Sequence, residues 1–422
     1  MDLEKLKQNW ETFARLVVHP PSFVTWLRAG SDTICLQRAI SETPAAFFPA
    51  SSSSWFRRSW LGRHPEVWIA LVLLIASHLF VSTFAKFAHW QFGAPYTRTA
   101  DFCRWDCTWF RTVVDEGYDL EPYRYGDKAD WSFFPLFPLW AKTFKLVLGV
   151  PAPLALVVAS KVALYAAILF FLLMVRGELE ELPEYFLAGG LVAFNPYVLY
   201  SHAGYSEPLY FAVAALAFFL VDKNRWIESG IAGALLSATR IVGCLFSISY
   251  LIVCLRRVGF GRIIRERNLA IVIGLLLCPL GMALYMLYLY HLTGDAIAFI
   301  HIQVAWNRAP GNPFVVIAHA LQHHGWPRVW GMMILAGLAA AGSLLKERRP
   351  ELAVFLAGAI LVPLSADLWG FPRYLWWQPP MLYAIFTFLK RHRTWWIIYV
   401  AFAAGMASFM VIEWFSGTNM VV

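Results

Sequence analysis

The chain has 422 residues, of which 59% are hydrophobic, 17% aromatic and only 15% charged, with a formal charge of +8. Soluble domains carry nearer a quarter charged residues, so the composition excludes an ordinary soluble enzyme and points to one polytopic membrane unit. The basic residues lie in short clusters between apolar runs rather than on one face; that is the positive-inside pattern, and no nucleic-acid partner is expected.

Residues 1–65 precede the first apolar run and read as a cytoplasmic N-terminal extension without a signal-peptide core. Leu3, Leu6, Trp10, Phe13 and Val17 recur at helical spacing among Lys5, Lys7 and Arg15, which predicts an interfacial helix ending at His19, Pro20 and Pro21. A serine run at 51–54 marks a link, and Arg57, Arg58 and Arg63 anchor the chain inside.

The remainder, 66–422, reads as an all-α membrane-embedded domain. Runs long enough for the hydrocarbon core fall at 66–87, 152–175, 185–200, 206–221, 269–291, 329–345, 352–366, 374–389 and 395–412. The run 226–255 is interrupted by Ala238, Thr239 and Arg240, and an arginine in mid-bilayer is costly, so it splits into two short helices. The total is about eleven transmembrane helices. Parity then places the clusters around Arg176, Lys223, Arg256, Lys346 and Lys390 inside, provided that 133–148 does not cross. Pro135, Pro138, Lys142 and Lys145 make that segment a helix lying in the outer interface. The large first outer loop is therefore 88–151, and a second covers 292–327.

The first outer loop concentrates the polar chemistry. Asp106 follows Arg104 and Trp105 at the membrane edge, where a carboxylate can take a proton from an acceptor hydroxyl. Read alone, it is equally a solvated loop acid paired with Arg104, one among many in this loop. Trp105 and Trp109 offer flat apolar surfaces for sugar rings or lipid chains, and interface belts hold such aromatics too. Cys103 and Cys107 have a spacing that could ligate a metal, but no histidine or second cysteine pair accompanies them, so they read as plain thiols. Cys244, Cys254 and Cys278 read as small core residues, and Cys35 has no metal-site pairing.

The loop sequences RWDCTWFRTVVDEGYDL (104–120) and WSFFPLFPLW (131–140) resemble the first outer loop of the GPI mannosyltransferase II (PIG-V-type) enzymes and their bacterial relatives. FNPYVLYSHAGYSEPLYF (194–211) is similar to the second signature of that family, with its Tyr-Ser-Glu core. SATRIVG (237–243) stands at the place of its arginine element, and TGDAIAFIHIQVAW (293–306) resembles a stretch of bacterial members. Two departures stand out: Trp109 where members often have histidine, and Ile241 and Val242 after the arginine.

The resemblance implies a membrane-embedded glycosyltransferase of the GT-C type. Such an enzyme moves mannose, with inversion, from a polyprenyl (dolichyl) phosphate mannose donor to a glycolipid, glycan or protein acceptor on the non-cytosolic face. It maps the general base onto Asp106. The leaving phosphate needs fixed cations, for which Arg240 and Arg373 are candidates, with Arg104 beside the base as a third. Arg373 also reads as a snorkelling residue beside Trp369 and Pro372. Glu207, next to Tyr205 and Ser206, either complements a helix N-terminus or orients Arg240 and binds substrate. Tyr205, His202, His301 and Gln303 complete the substrate-binding set. His323 and His324 read as a solvated pair, and no metal site is assigned; the loop acids leave a divalent cation open without a convincing ligand set. The expected location is a multi-pass protein of the bacterial plasma membrane, or of the endoplasmic reticulum in a eukaryote. The competing class is a transporter or flippase of lipid-linked saccharides, which predicts polar residues near the midplane and an inverted repeat.

Overall fold

The computed structural model describes residues 64–93, 99–122, 127–308, 310–366, 368 and 370–416. All but His64 belong to one contact unit, Pro65–Val422. The expected interfacial helix and serine link of the first 65 residues lie outside the described part, as does Trp369.

The regular elements among the described residues are helices. In chain order the helices are α1 (Pro65–Phe92), α2 (Asp106–Glu116), α3 (Leu136–Leu148), α4 (Ala152–Met174), α5 (Leu182–Ala193), α6 (Glu207–Asp222), α7 (Trp226–Ser237), α8 (Phe246–Arg257), α9 (Phe260–Arg265), α10 (Leu269–Leu277), α11 (Leu280–Thr293), α12 (Ala298–His301), α13 (Pro313–Gln322), α14 (Trp326–Lys346), α15 (Pro350–Leu364), α16 (Phe371–Trp376), α17 (Pro379–Arg391) and α18 (Trp395–Ser416). Proline in the first turn starts α4, α5, α6, α13, α14, α15, α16 and α17, where its missing N–H is no loss.

Four helices, α1, α4, α14 and α18, are long and apolar enough to cross a membrane, and the α10–α11 pair makes a fifth if it is one span bent by 44°. The remaining apolar runs of the sequence are shorter helices for local reasons. The run 185–200 ends at Ala193, before Asn195 and Pro196. The run 374–389 is cut at Trp377 and Gln378, ahead of Pro379 and Pro380. A break between α7 and α8 falls at 238–245, as the arginine there predicts. Helix α3 has 13 residues and leaves Leu139, Leu146 and Val147 exposed.

Helix α6 is the hub. It is buried on nearly all sides and packs against α4 and α7. Phe211 and Phe218 meet Phe171, Trp377, Phe246 and Phe355 in edge or tilted ring contacts. Such contacts supply the packing attraction that the hydrophobic effect cannot supply between helices in lipid. Helices α7 and α10 approach so closely that a Cβ on Gly230 would stand 2.4 Å from the Gly274 carbonyl oxygen.

The two ends of α6 carry different chemistry. At its C-terminal end Asp222 pairs with Arg257 at 2.8 Å and Arg349 at 2.8 Å, and Glu351 pairs with Arg256 and Arg349. Arg176 with Glu66, and Lys390 with Glu184, likewise tie helix ends. At its N-terminal end stands Glu207, about 24 Å away along the helix by its rise per residue. Asp106, Arg240 and Arg373 gather there.

Candidate active site

Asp106 is the first residue of α2, so its carboxylate sits where a helix N-terminus favours negative charge. Tyr205, brought up by the loop before α6, holds its backbone: the hydroxyl accepts from Asp106 N–H at 3.2 Å and donates to the Arg104 carbonyl at 3.3 Å. Burial, and next the Asp106 carboxylate, push the Tyr205 phenol well above its usual range, so it remains a protonated donor.

Arg373 reaches the same carboxylate. Its Nη2 lies 2.7 Å from Asp106 Oδ2 and donates to Tyr374 Oη at 2.8 Å, while its Nε is 3.5 Å from Glu207 Oε1. Glu207 in turn holds Arg240 Nη2 at 2.8 Å, and the same nitrogen donates to Ser206 Oγ at 3.1 Å. The order is thus Asp106, Arg373, Glu207, Arg240, two carboxylates alternating with two guanidiniums. Pairing is what lets charges persist here: the Arg373 and Glu207 side chains are only 6% and 1% exposed, and an unpaired buried ion would cost several kcal/mol. Burial alone would lower the Arg373 pKa; Asp106, then Tyr374 and Glu207, outweigh it and hold it well above the ordinary arginine value. Both guanidiniums also lie against the Tyr374 ring, 4.7 Å and 4.9 Å from its centroid.

The two arginines have donors to spare. Arg373 Nη1 and Arg240 Nε are buried and make no hydrogen bond among the described residues. An apolar pocket of about 300 Å³ is lined by Ile241 and Val242, which follow Arg240 in the chain, and by Met282, Met286, Phe299 and Val362 among others.

The loops around this cluster are tied to one another. Leu136 N–H donates to the Ala238 carbonyl at 3.0 Å, joining the stretch 131–140 to 237–243. Gln303 Nε2 donates to Ser132 Oγ at 2.9 Å, and Trp109 meets Trp306 edge-on at 5.6 Å and stacks on Phe133. Tyr285 on α11 donates to the Trp131 carbonyl at 2.7 Å.

Of the residues picked from sequence, Asp106, Glu207, Arg240, Arg373 and Tyr205 come together, and Trp105 lies exposed beside them. Others do not. Arg104 turns to α18, donating to the Trp414 carbonyl at 2.9 Å with its guanidinium 5.0 Å from the Phe415 ring, so it anchors a helix instead of facing Arg373. His202 is fully buried behind the loop, its Nε2 3.1 Å from Ser77 Oγ and its ring stacked on His78. His301 is exposed and paired with Asp295 at 2.6 Å. Gln303 and Trp109 join loops. Cys103 and Cys107 are not thiols: they form a disulfide across Cα atoms 5.1 Å apart, well within bridging range. Tyr374 and Ser206 escaped the sequence reading, although each adjoins a residue that it picked. Among the described residues no three His, Cys, Asp or Glu side chains gather to hold a metal ion.

No family model matches the chain, and no curated protein matches it. The chain is similar to solved structures of an oligosaccharyltransferase from Archaeoglobus fulgidus. One, with zinc and sulfate, is 16% identical with a TM-score of 0.41, covering 82% of this chain and 53% of that one. A second, with an inhibitory peptide and a dolichol-phosphate, is 15% identical at 0.45, and a third, tethered to an acceptor peptide, is 16% identical at 0.47; each covers 86% of this chain and 56% of its own. The chain therefore spans little more than half the length of these proteins.

Proposed function

We propose that this protein is an inverting membrane glycosyltransferase of the GT-C type that uses a polyprenyl phosphate sugar donor. The observation that carries the reading is the Asp106–Arg373–Glu207–Arg240 cluster, with buried N–H groups to spare, and an apolar pocket lined by the two residues that follow Arg240 in the chain. An acidic base, cations for a phosphate and a slot for a lipid chain are the three parts that such a transfer needs.

In the proposed reaction the acceptor hydroxyl oxygen forms a bond to the anomeric carbon on the face opposite the phosphate. Asp106 takes the hydroxyl proton. The carbon–oxygen bond to phosphate breaks, its electron pair stays on the phosphate oxygen, and the lipid phosphate gains a negative charge. Arg240 and Arg373 meet that charge with forked donors suited to phosphate geometry. Glu207 holds both guanidiniums, and Tyr205 holds the backbone of the base. The cavity lined by Ile241, Met282 and Met286 takes the first isoprene units of the tail.

Mannose as the sugar, and a glycolipid, glycan or protein as the acceptor, follow from the likeness of the two loops to the GPI mannosyltransferase II family. In that reading the shorter helices also cross, for about eleven spans. The ion-paired arginine end of α6 faces the cytosol and the Asp106 end faces outward, in a bacterial plasma membrane. The Cys103–Cys107 disulfide supports the outward assignment, because disulfides persist in oxidising compartments.

The deciding assay offers purified protein a panel of lipid-phosphate sugars, with and without chelator, and follows sugar transfer. Turnover with polyprenyl phosphate mannose that Asp106→Asn abolishes supports the reading; no transfer from any lipid-phosphate sugar sinks it. A transport reading draws on His78 and Lys161, which stand near the middles of α1 and α4. Flux of a lipid-linked saccharide across vesicles, unaffected by Asp106→Asn, would favour it.

A further inference from the structure

The base candidate sits inside a short covalent ring. Cys103 and Cys107 bracket Arg104, Trp105 and Asp106, and their disulfide closes the loop just where α2 begins. Trp105, immediately before the base, has φ 54° and ψ −119°. That backbone is strained for a bulky residue and persists only where its surroundings enforce it. Two enforcers are visible. One is the disulfide. The other is the pair of hydrogen bonds from Tyr205, which spans Arg104 and Asp106, the residues on either side of Trp105.

The disulfide and the Tyr205 loop are fitted to each other. Cys107 is fully buried, and Gly204, with φ +75°, packs on it: a Cβ there would stand 2.5 Å from Cys107 Sγ. Only glycine satisfies both the backbone angle and the close approach. The sulfur thus packs on the Gly204 backbone, next to the residue whose hydroxyl spans the ring. A crosslink stabilises a fold through chain entropy more as its loop lengthens, and this ring is short. Its consequence is local.

We infer that the Cys103–Cys107 disulfide is a positioning element for Asp106, holding Trp105 in its strained turn and the carboxylate against Arg373, so that full turnover needs the oxidised form. This rests on the reading of Asp106 as the base. Arg240, Glu207 and the apolar cavity lie outside the ring, so opening it should impair the chemical step far more than donor binding.

The test treats the purified full chain with dithiothreitol, which donates two electrons and two protons: the cystine is reduced to two thiols and the reagent is oxidised to its own cyclic disulfide. Thiol labelling confirms that both cysteines are open, and kcat and donor KM are measured with polyprenyl phosphate mannose. The expected result is a fall in kcat of about tenfold to a hundredfold, the scale of a small misplacement of a reacting group, with donor KM within about twofold. Reoxidation restores kcat. Cys103→Ser gives the same split without reagent, whereas Cys244→Ser, outside the ring, responds to dithiothreitol as the unchanged protein does. Full kcat in protein shown to be reduced overturns the inference. So does a loss that comes with a collapsed Tm and that reoxidation cannot reverse, for the bridge would then be a structural staple. Asp106→Asn separates the levels: if it transfers normally, the base reading fails and the inference with it. If it is inactive while reduced protein turns over fully, only the positioning role fails.

Discussion

Arg373 Nη2 and Asp106 Oδ2 are 2.7 Å apart, so the residue proposed to take the proton is ion-paired with one proposed to bind the phosphate. The guanidinium occupies one oxygen of that carboxylate. A donor phosphate entering beside Arg373 would compete for the same guanidinium and release Asp106 toward the acceptor. The pair therefore links the two halves of the proposed reaction, and each partner can be removed separately.

Asp106→Asn keeps the shape of the side chain and removes the base. Transfer should fall by about 10²–10⁴-fold, the usual contribution of a general base. Donor binding should survive or tighten, since Arg373 loses its competing carboxylate. Single-turnover transfer and equilibrium binding of polyprenyl phosphate check the two parts. A parallel loss of binding would show that Asp106 serves the site's architecture instead.

Arg373→Lys keeps a charge but loses the fork that touches Asp106, Tyr374 and Glu207 at once. Loss of one charge-assisted hydrogen bond is worth about 1.5–3 kcal/mol, so donor kcat/KM should drop by about tenfold to a hundredfold. Steady-state kinetics over a donor concentration series measure it. An unchanged value would remove Arg373 from the phosphate site.

Much of this arrangement was legible in the sequence, and the parts that were not have local causes. Arg240 revealed the break between α7 and α8 because a charge cannot sit in a continuous apolar run without a reason. Pro135 likewise falls just before α3 and Pro138 in its first turn, where the sequence places a short separate helix. Hydropathy could not show that Gln378 and Pro379 divide 374–389, since both neighbouring stretches are apolar. The disulfide stayed hidden because the spacing was weighed only for a metal site; α2 starts at Asp106, so Cys103 lies outside the helix, and the two Cα atoms stand 5.1 Å apart. The full burial of His202 was not legible because it follows a single 3-10 turn, too short for periodicity to assign an inward side. Tyr374 owes its place to two arginines far apart in sequence, a coincidence only the fold creates.

Glu207 is the shared counter-ion of both arginines and is almost fully buried. Glu207→Gln leaves an acceptor oxygen but strips the charge, so two guanidiniums would then face Asp106 alone. Stability should fall by about 3 kcal/mol, the lower end for a buried ion pair that loses one charge. Donor KM should rise as Arg240 loses its fixed orientation. Thermal unfolding in detergent, run beside donor kinetics, distinguishes this from a role at the helix N-terminus, which would cost stability and leave KM alone.

The apolar pocket lined by Ile241 and Val242 gives the last prediction. A polyprenyl tail entering it leaves one apolar medium for another, so the cavity should add little hydrophobic affinity. What it supplies is register: a tail lodged against Ile241, Met282 and Met286 fixes how far the phosphate reaches toward the two arginines. Met286→Trp should therefore fill the slot and raise KM for a long-chain donor by about tenfold, the scale of a mild steric clash with well-packed neighbours. A soluble analogue with a methyl ester in place of the tail has nothing to lodge, and its weak turnover should be unchanged. Comparing kcat/KM for the two donors in Met286→Trp and unchanged protein decides it: equal losses would mean that the substitution disturbs the arginines themselves, and no loss with either donor would mean that the tail runs elsewhere.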